Sequence, residues 1–318
     1  MRSALRFVRV LGPVLLIGLP LGPAQAHDRW PTNGGPYLDI GGGAEFVNLP
    51  KVTAYVSGIP GDEFGGIDDE FWTWSAEAAL GFVDSEGTVL PDPMGQNARV
   101  ELRTRYSTGT SDRSQTGDFL HINSPDQSII FIALAPDMQA LSNTMLETWE
   151  ADLTYQTDVV VSDHVAFSPL VGLTYTRIRF ENDFKTVIPG VAFQELNDST
   201  NTDYYGLALG ADFTVRPVPA VDLVFGVRGD LMGADASMYS HLDALDESDH
   251  DAHFAARGTA SLGVGLRFGP LTLRAEGFFR YLSYLATAKN PIDTPRPAEI
   301  HGKDMWSTGA RGTLALSF

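Results

Sequence analysis

Charged side chains recur at every second position along several stretches of this chain: Arg99, Glu101, Arg103 and Arg105; Glu150 and Asp152; Arg228 and Asp230; Arg274 and Glu276. Arg267, Arg280 and Arg311 fall in similar surroundings. Residues two apart share one face of an extended strand, so these groups would line a common wet surface. Crowded there, guanidinium and carboxylate groups either pair into a salt-bridged plug or leave a narrow charged pore that sorts small solutes. A second chemistry could sit in two acidic runs, Asp62, Glu63, Asp68, Asp69 and Glu70, and Asp243, Asp246, Glu247, Asp249, His250, Asp251 and His253. Oxygen clusters suit hard cations such as Ca²⁺ or Mg²⁺, which makes Asp68, Asp69, Asp249 and Asp251 the metal candidates. No Asp-x-Asp-x-Asp-Gly loop with a distal Glu is present, and acidic runs are more often solvated.

Catalytic templates are sparse. Asp251-Ala252-His253, in the polar connection before a late strand, has an Asp-x-His spacing. No His-x-Ser occurs, and Ser240-His241 places its two groups on opposite faces. Gly41-Gly42-Gly43 lies within a strand pattern and not before a helix, so it does not read as a phosphate loop. A formal charge of −18 disfavours nucleic acid as a partner. Nothing in the sequence implies a cofactor.

The elements that must carry these residues are strands. Ala260, Leu262, Val264, Leu266 and Phe268 alternate with Thr259, Ser261, Gly263, Gly265 and Arg267. After Gly269-Pro270 the pattern resumes, with Leu271, Leu273, Ala275, Gly277, Phe279 and Tyr281 opposed by Thr272, Arg274, Glu276, Phe278 and Arg280. Leu207, Leu209, Ala211, Phe213 and Val215 form another apolar row, as do Leu223, Phe225, Val227 and Leu231, and Val100, Leu102 and Tyr106. Weaker candidates are 37–47, 71–82, 148–159, 165–180 and 305–318. The expected fold is therefore an all-β, closed transmembrane antiparallel up-and-down barrel of about ten strands, within a range of about eight to twelve. A soluble antiparallel sandwich also alternates, but it needs neither charges facing inward nor the connection pattern seen here.

Long polar connections at 48–70, 107–147, 181–203, 235–253 and 285–303 alternate with short ones at 160–164, 216–220 and 269–270. That is the asymmetry of long outer loops and short periplasmic turns; the segment 83–97 is longer than such a turn requires. Trp72, Trp74, Tyr106, Trp149, Tyr281 and Trp306 cluster at strand ends next to the long loops, with Phe268 and Phe318 at the opposite ends, as two aromatic girdles would. Within the second long loop, 118–122 and 128–134 flank Ser124-Pro125-Asp126-Gln127 and read as a hairpin.

Arg2, Arg6 and Arg9 precede an apolar run ending in Ala24-Gln25-Ala26, so residues 1–26 are expected to be a cleaved signal peptide and 27–318 the barrel. There is no cysteine, which excludes disulfides and thiolate metal sites. Alternation, connection asymmetry and the row Leu314, Leu316 and Phe318 together resemble bacterial outer-membrane β-barrel proteins. The resemblance implies a Gram-negative outer-membrane location, a surrounding of lipid and lipopolysaccharide, and assembly machinery that reads this last strand. The expected function is porin-like passage of small solutes or ions. The alternatives are a non-conducting surface barrel whose acidic loops bind cations, lipopolysaccharide or host molecules, and a rim protease. For the last, Asp251 and His253 with Asp68-Asp69 are similar to the acid–base groups of the omptin proteases, but without that family's Trp- and His-containing segments.

Overall fold

Side chains that alternate in polarity make a strand separate two environments, and such strands bury one face either by stacking as two sheets or by closing into a ring. A computed structural model describes residues 34–49, 53–57, 70–85, 89–90, 97–123, 129–188, 191–242, 245–289 and 299–318. Its elements are β1 (Gly35–Asn48), β2 (Thr53–Ser57), β3 (Glu70–Asp84), β4 (Ala98–Asn123), β5 (Ile129–Thr157), β6 (Val159–Ser162), β7 (Val165–Ile188), β8 (Val191–Val218), β9 (Val221–Leu242), β10 (Leu245–Phe268), β11 (Leu271–Lys289) and β12 (Glu299–Ser317). Ten of them, all but β2 and β6, form one antiparallel ring in the order β1-β3-β4-β5-β7-β8-β9-β10-β11-β12. The ring closes by pairing β1 with β12, from Tyr37 opposite Ser317 to Asn48 opposite Trp306. Closure excludes the sandwich. The short strands β2 and β6 are additions to β4 and β7. The expected signal peptide lies outside the described residues.

At the short-turn end the apolar rows face outward. Leu262 is 66% exposed, Leu207 and Leu209 each 56%, and Leu273 43%. A belt of large apolar side chains running around a whole ring has no place on a protein surrounded by water. Ten residue steps separate Leu271 from Tyr281. At ~3.4 Å per residue and a tilt of ~40°, they span ~26 Å, the height of a membrane barrel's apolar band. Aromatic contacts close the upper edge of the belt: Phe46 lies 5.6 Å from Trp72 and 6.2 Å from Trp306, and Tyr175 lies 5.4 Å from Trp149 and 5.6 Å from Tyr205. Trp72, Trp74, Tyr106, Trp149 and Tyr281 are exposed there, and Phe268 and Phe318 are exposed at the other end. Leu262 sits near mid-belt, opposite Phe225 and Gly277. Leu262→Arg should cost about 2–4 kcal/mol of stability in liposomes. Urea unfolding followed by tryptophan fluorescence would detect this, and an unchanged midpoint would show that the belt is not in lipid.

Above the aromatic girdle the alternation reverses. On β9, Met232, Ala234, Ala236 and Met238 are buried while Gly233, Asp235, Ser237 and Tyr239 are exposed. On β7, Ile178 and Phe180 are buried while Arg177 and Arg179 face out. The outer surface has changed from apolar to polar, as it must when a strand passes from hydrocarbon into water, and the interior has changed from charged to apolar. The segments expected to be loops are thus largely strand: β4 with β5, β7 with β8, and β9 with β10 continue pairing through most of 107–147, 181–203 and 235–253. Polar composition had suggested loops, but a strand in water needs a polar outer face.

Turn chemistry at the other end is simple. Gly269 adopts φ 64°, which its lack of a Cβ allows, and joins β10 to β11 with Pro270. In the longer 83–97 connection, the buried Asp84 carboxylate accepts hydrogen bonds from the Val89 and Leu90 amides at 2.6 and 2.7 Å.

Candidate functional site: a charged lumen beneath an apolar plug

Most inward charges of the membrane-level strands face one bore. A cavity of about 370 Å³ reaches the short-turn rim at Gly35, Gly269 and Phe318. Its walls carry nine arginines (Arg99, Arg103, Arg105, Arg228, Arg257, Arg267, Arg274, Arg280 and Arg311) and eight carboxylates (Asp39, Glu77, Glu101, Glu150, Asp152, Asp212, Asp222 and Glu276). The lumen is therefore close to neutral although the chain is strongly acidic, and the excess negative charge lies elsewhere.

The groups pair across the bore and not only with neighbours. Arg257 on β10 donates to Asp230 on β9 at 2.6 Å, to Glu150 on β5 at 3.0 Å, and to Thr174 and Thr176 on β7 at 3.1 Å each. Arg228 on β9 forms a two-pronged contact with Asp152 on β5, both distances 2.8 Å, and also reaches Asp230 at 2.7 Å. Arg280 on β11 donates to Glu150 at 2.9 Å. Glu45 accepts from Arg105 and from Ser307. Phe278 sits inside this layer, 5.5 Å from the Arg105 guanidinium carbon and 5.8 Å from those of Arg280 and Arg311. Nearer the rim, Arg103 pairs with Glu101, Arg311 with Glu276, and both Arg216 and Arg267 with Asp222. Such pairs fix the cross-section, because a guanidinium fork satisfied on several strands resists relative sliding.

Toward the hairpin end the charges give way to a packed apolar core. Val47, Phe71, Leu146, Ile178, Phe180, Tyr204, Met232, Leu282, Leu285 and Met305 are all buried within it. Its closure depends on β11. The pairing of β11 with β12 shifts register between Leu282 and Leu285, so β11 bulges there. The bulged backbone meets β8, which is not its neighbour in the ring: Tyr204 donates its hydroxyl hydrogen to the Tyr284 carbonyl and Thr200 to the Ala286 carbonyl, each at 2.9 Å. Gly302 permits this, since a Cβ at that position would sit 2.3 Å from the Tyr284 ring.

The hairpin-end rim holds His241, His250 and His253. His253 contacts Asp251 at 2.6 Å and its ring lies 4.7 Å from that of Tyr284. His250 pairs with Asp235 at 3.2 Å, and His241 with Asp246 at 2.6 Å. The His241 hydrogen bond holds the Asp246 carboxyl below the usual carboxylate range, and the bond from Tyr239 to the same carboxylate pushes that phenol up. Asp249 accepts a hydrogen bond from the Ile300 amide at 3.0 Å. Among the described residues no three His, Asp or Glu side chains converge as a metal site. Asp68 and Asp69 lie outside those residues.

All thirteen lumen candidates face the interior: twelve line the cavity and Asp230 lies in the arginine layer behind it. Leu314 and Leu316 share the outward face of β12 with Phe318, whose amide bonds the Pro36 carbonyl at 3.0 Å. Sequence reasoning missed Asp39, Glu45 and Glu77, which extend the alternation of β1 and β3, and Arg257, one step of two upstream of Thr259. It also missed the plug.

Neither protein-family comparison nor comparison with curated proteins returns a match. Among solved structures, the chain is similar to the outer membrane protease OmpT from Escherichia coli, with a TM-score of 0.56 and 10% identity, over 89% of this chain and 97% of that one. It is also similar, at a TM-score of 0.43 and 13% identity, to the translocator domain of the autotransporter NalP from Neisseria meningitidis, over 92% and 90% of the two chains. At such identities the likeness is one of architecture: the chain has the fold of bacterial outer-membrane β-barrel proteins.

Proposed function

We propose that this protein is a non-conducting barrel of a bacterial outer membrane, which holds a rigid, acidic β-structure outside the cell as a binding platform. The observation that carries this reading is the contact of β11 with β8 through Tyr204–Tyr284 and Thr200–Ala286, over an apolar core contributed by strands all around the ring. Ions entering from the turn end would meet paired arginines first, then side chains that offer them no ligand. Porin-like passage, the reading favoured by the inward glycines and charges, would require β11 to withdraw from β8. Purified protein in planar bilayers should accordingly give no channel events in which small ions cross.

On this reading the acidic outer surface and the surrounding lipid and lipopolysaccharide are the contacts that matter, with divalent cations as bridges. Asp251–His253 is then an exposed surface pair and not a catalytic one. Protein reconstituted with lipopolysaccharide should leave fluorogenic peptides intact. Cleavage that disappears in His253→Ala would establish the protease reading instead.

A further inference from the structure

The rim half of the bore holds charged groups that its ion pairs leave over. Of the nine arginines lining it, eight bond or pair with another side chain, and Arg274 does so with none of the described residues. The charge of Arg274 reaches Asp39 and Glu276 without an ion pair to either. Elsewhere in the same chamber, Oε1 of Glu77 and Oδ1 of Asp39 are buried and accept no hydrogen bond. Arg103 stands 3.6 Å from the first and 3.8 Å from the other carboxylate oxygen of Asp39, too far to donate. The Glu77 side chain is only 4% exposed. An acceptor so deeply buried is costly to leave unmade.

Strand register sets these groups in adjoining rows with nothing large between them. Arg274 on β11 lies opposite Gly265 on β10 and Thr313 on β12; Thr313 lies opposite Gly41 on β1, and Gly41 opposite Glu77 on β3. Three strand spacings of ~4.8 Å put Arg274 and Glu77 ~14 Å apart along the wall. Their side chains enter that gap from either end without meeting. Gly41 keeps it open, since a Cβ there would sit 2.6 Å from the Thr313 methyl and 3.2 Å from Oε1 of Glu77. One inward step nearer the rim, Asp39, Ala315 and Thr272 form the next row, again with only small side chains beside the carboxylate. One step deeper, Arg311 bonds both Glu77 and Glu276 and closes the space from beneath.

We propose that this chamber binds a small zwitterion from the periplasmic side, an α-amino acid or a short peptide, with its carboxylate on Arg274 and its ammonium on Glu77 and Asp39. A guanidinium offers a carboxylate two parallel hydrogen bonds, and an ammonium has donors enough for both acceptor oxygens. An anion alone would leave the buried oxygens of Glu77 and Asp39 unmet, and a cation alone would leave Arg274 unmet. One ligand with opposite charges at its two ends answers both, and it keeps the bore as near to neutral as before. Cavities that hold small organic molecules run from ~300 to ~1,000 Å³, and at about 370 Å³ this one takes a molecule of the small end. Its mouth is the short-turn rim beside Gly35, Gly269 and Phe318, while the apolar core lies at the far end. The inference rests on the outer-membrane reading for the side that this mouth faces, and on nothing about the outer surface.

Ligand-observed NMR titrations of the full-length protein in detergent test this with L-alanine and L-alanyl-L-alanine, against propionate and ethylamine, each of which keeps one end of alanine. At least one zwitterion should bind about tenfold more tightly than either one-ended analogue, and the better of the two decides between a free amino acid and a peptide. Arg274→Gln should weaken that binding about tenfold without moving the urea midpoint, because no ion pair is lost. Gly265→Val should weaken it too, by filling the chamber beside Arg274 at a position where the nearest atom to a Cβ, Asp222 Cβ, is an unstrained 3.5 Å away. Propionate that binds as tightly as the zwitterions would mean a plain anion site, and ethylamine that does so a plain cation site; either overturns the proposal. So would wild-type protein that binds neither zwitterion, since the free groups are then merely hydrated. Binding that persists in a barrel showing channel events would remove the non-conducting reading and leave the pocket in place.

Discussion

Arg257→Ala should destabilise the barrel by about 3–5 kcal/mol, the loss typical when one partner of a buried ion pair is removed. Arg257 touches four partners on three strands, and its side chain is only 6% exposed. Its removal leaves Asp230 with Arg228 alone and Glu150 with fewer cations. The loss exceeds that of any single rim pair, because Arg257 ties β10 to β5 across the bore as well as to its neighbour. Urea unfolding in detergent, read by tryptophan fluorescence, measures it. Adding Asp230→Asn to Arg257→Ala should recover part of the loss, since an uncompensated carboxylate is removed, with a coupling of about 0.5–3 kcal/mol. A cost below about 1 kcal/mol, as for exposed pairs, would mean that the arginine layer is freely hydrated.

The second large effect is on the plug. Tyr204→Ala with Leu285→Ala removes the hydroxyl that holds β11 and two fully buried side chains of the apolar core. Each truncation should cost about 2–5 kcal/mol in the part of the barrel above the membrane. The membrane belt and the arginine layer lie below the change, so the barrel should still assemble. Its permeability should rise, because β11 keeps only the Thr200 bond to β8 and water can reach the arginines from above. Tyr204→Phe isolates the hydrogen bond and should cost only about 0.5–1.5 kcal/mol. Ion flux that matches wild type in the double variant would place the barrier elsewhere.

Much of the fold could be read from the strands that alternate most cleanly. Leu262, Val264 and Leu266 against Ser261, Gly263 and Gly265 gave the correct outward face, and the inward arginines of β4 and β11 gave the lumen. Periodicity suffices there because lipid outside and charge inside differ maximally in polarity. The same rule was applied to only part of each strand. Met232, Ala234 and Ala236 continue the period of β9 with the polarity exchanged, and an expectation of polar loops hid that reversal. The plug was less legible still. Leu285 and Ala286 open the segment assigned to a loop, Tyr284 directly precedes it, and their role depends on a bulge that no local pattern specifies. Arg257 was missed for a simpler reason: its strand was read only from Thr259, whereas β10 begins at Leu245, and one more step of the alternation reaches it.

The account turns on whether β11 seals the bore, and single-channel recording in planar bilayers addresses that most directly. Wild-type protein should show no channel events, and the Tyr204→Ala, Leu285→Ala protein should show them under identical conditions. Steady openings of the wild-type barrel, unaltered by the double substitution, would contradict the closed lumen.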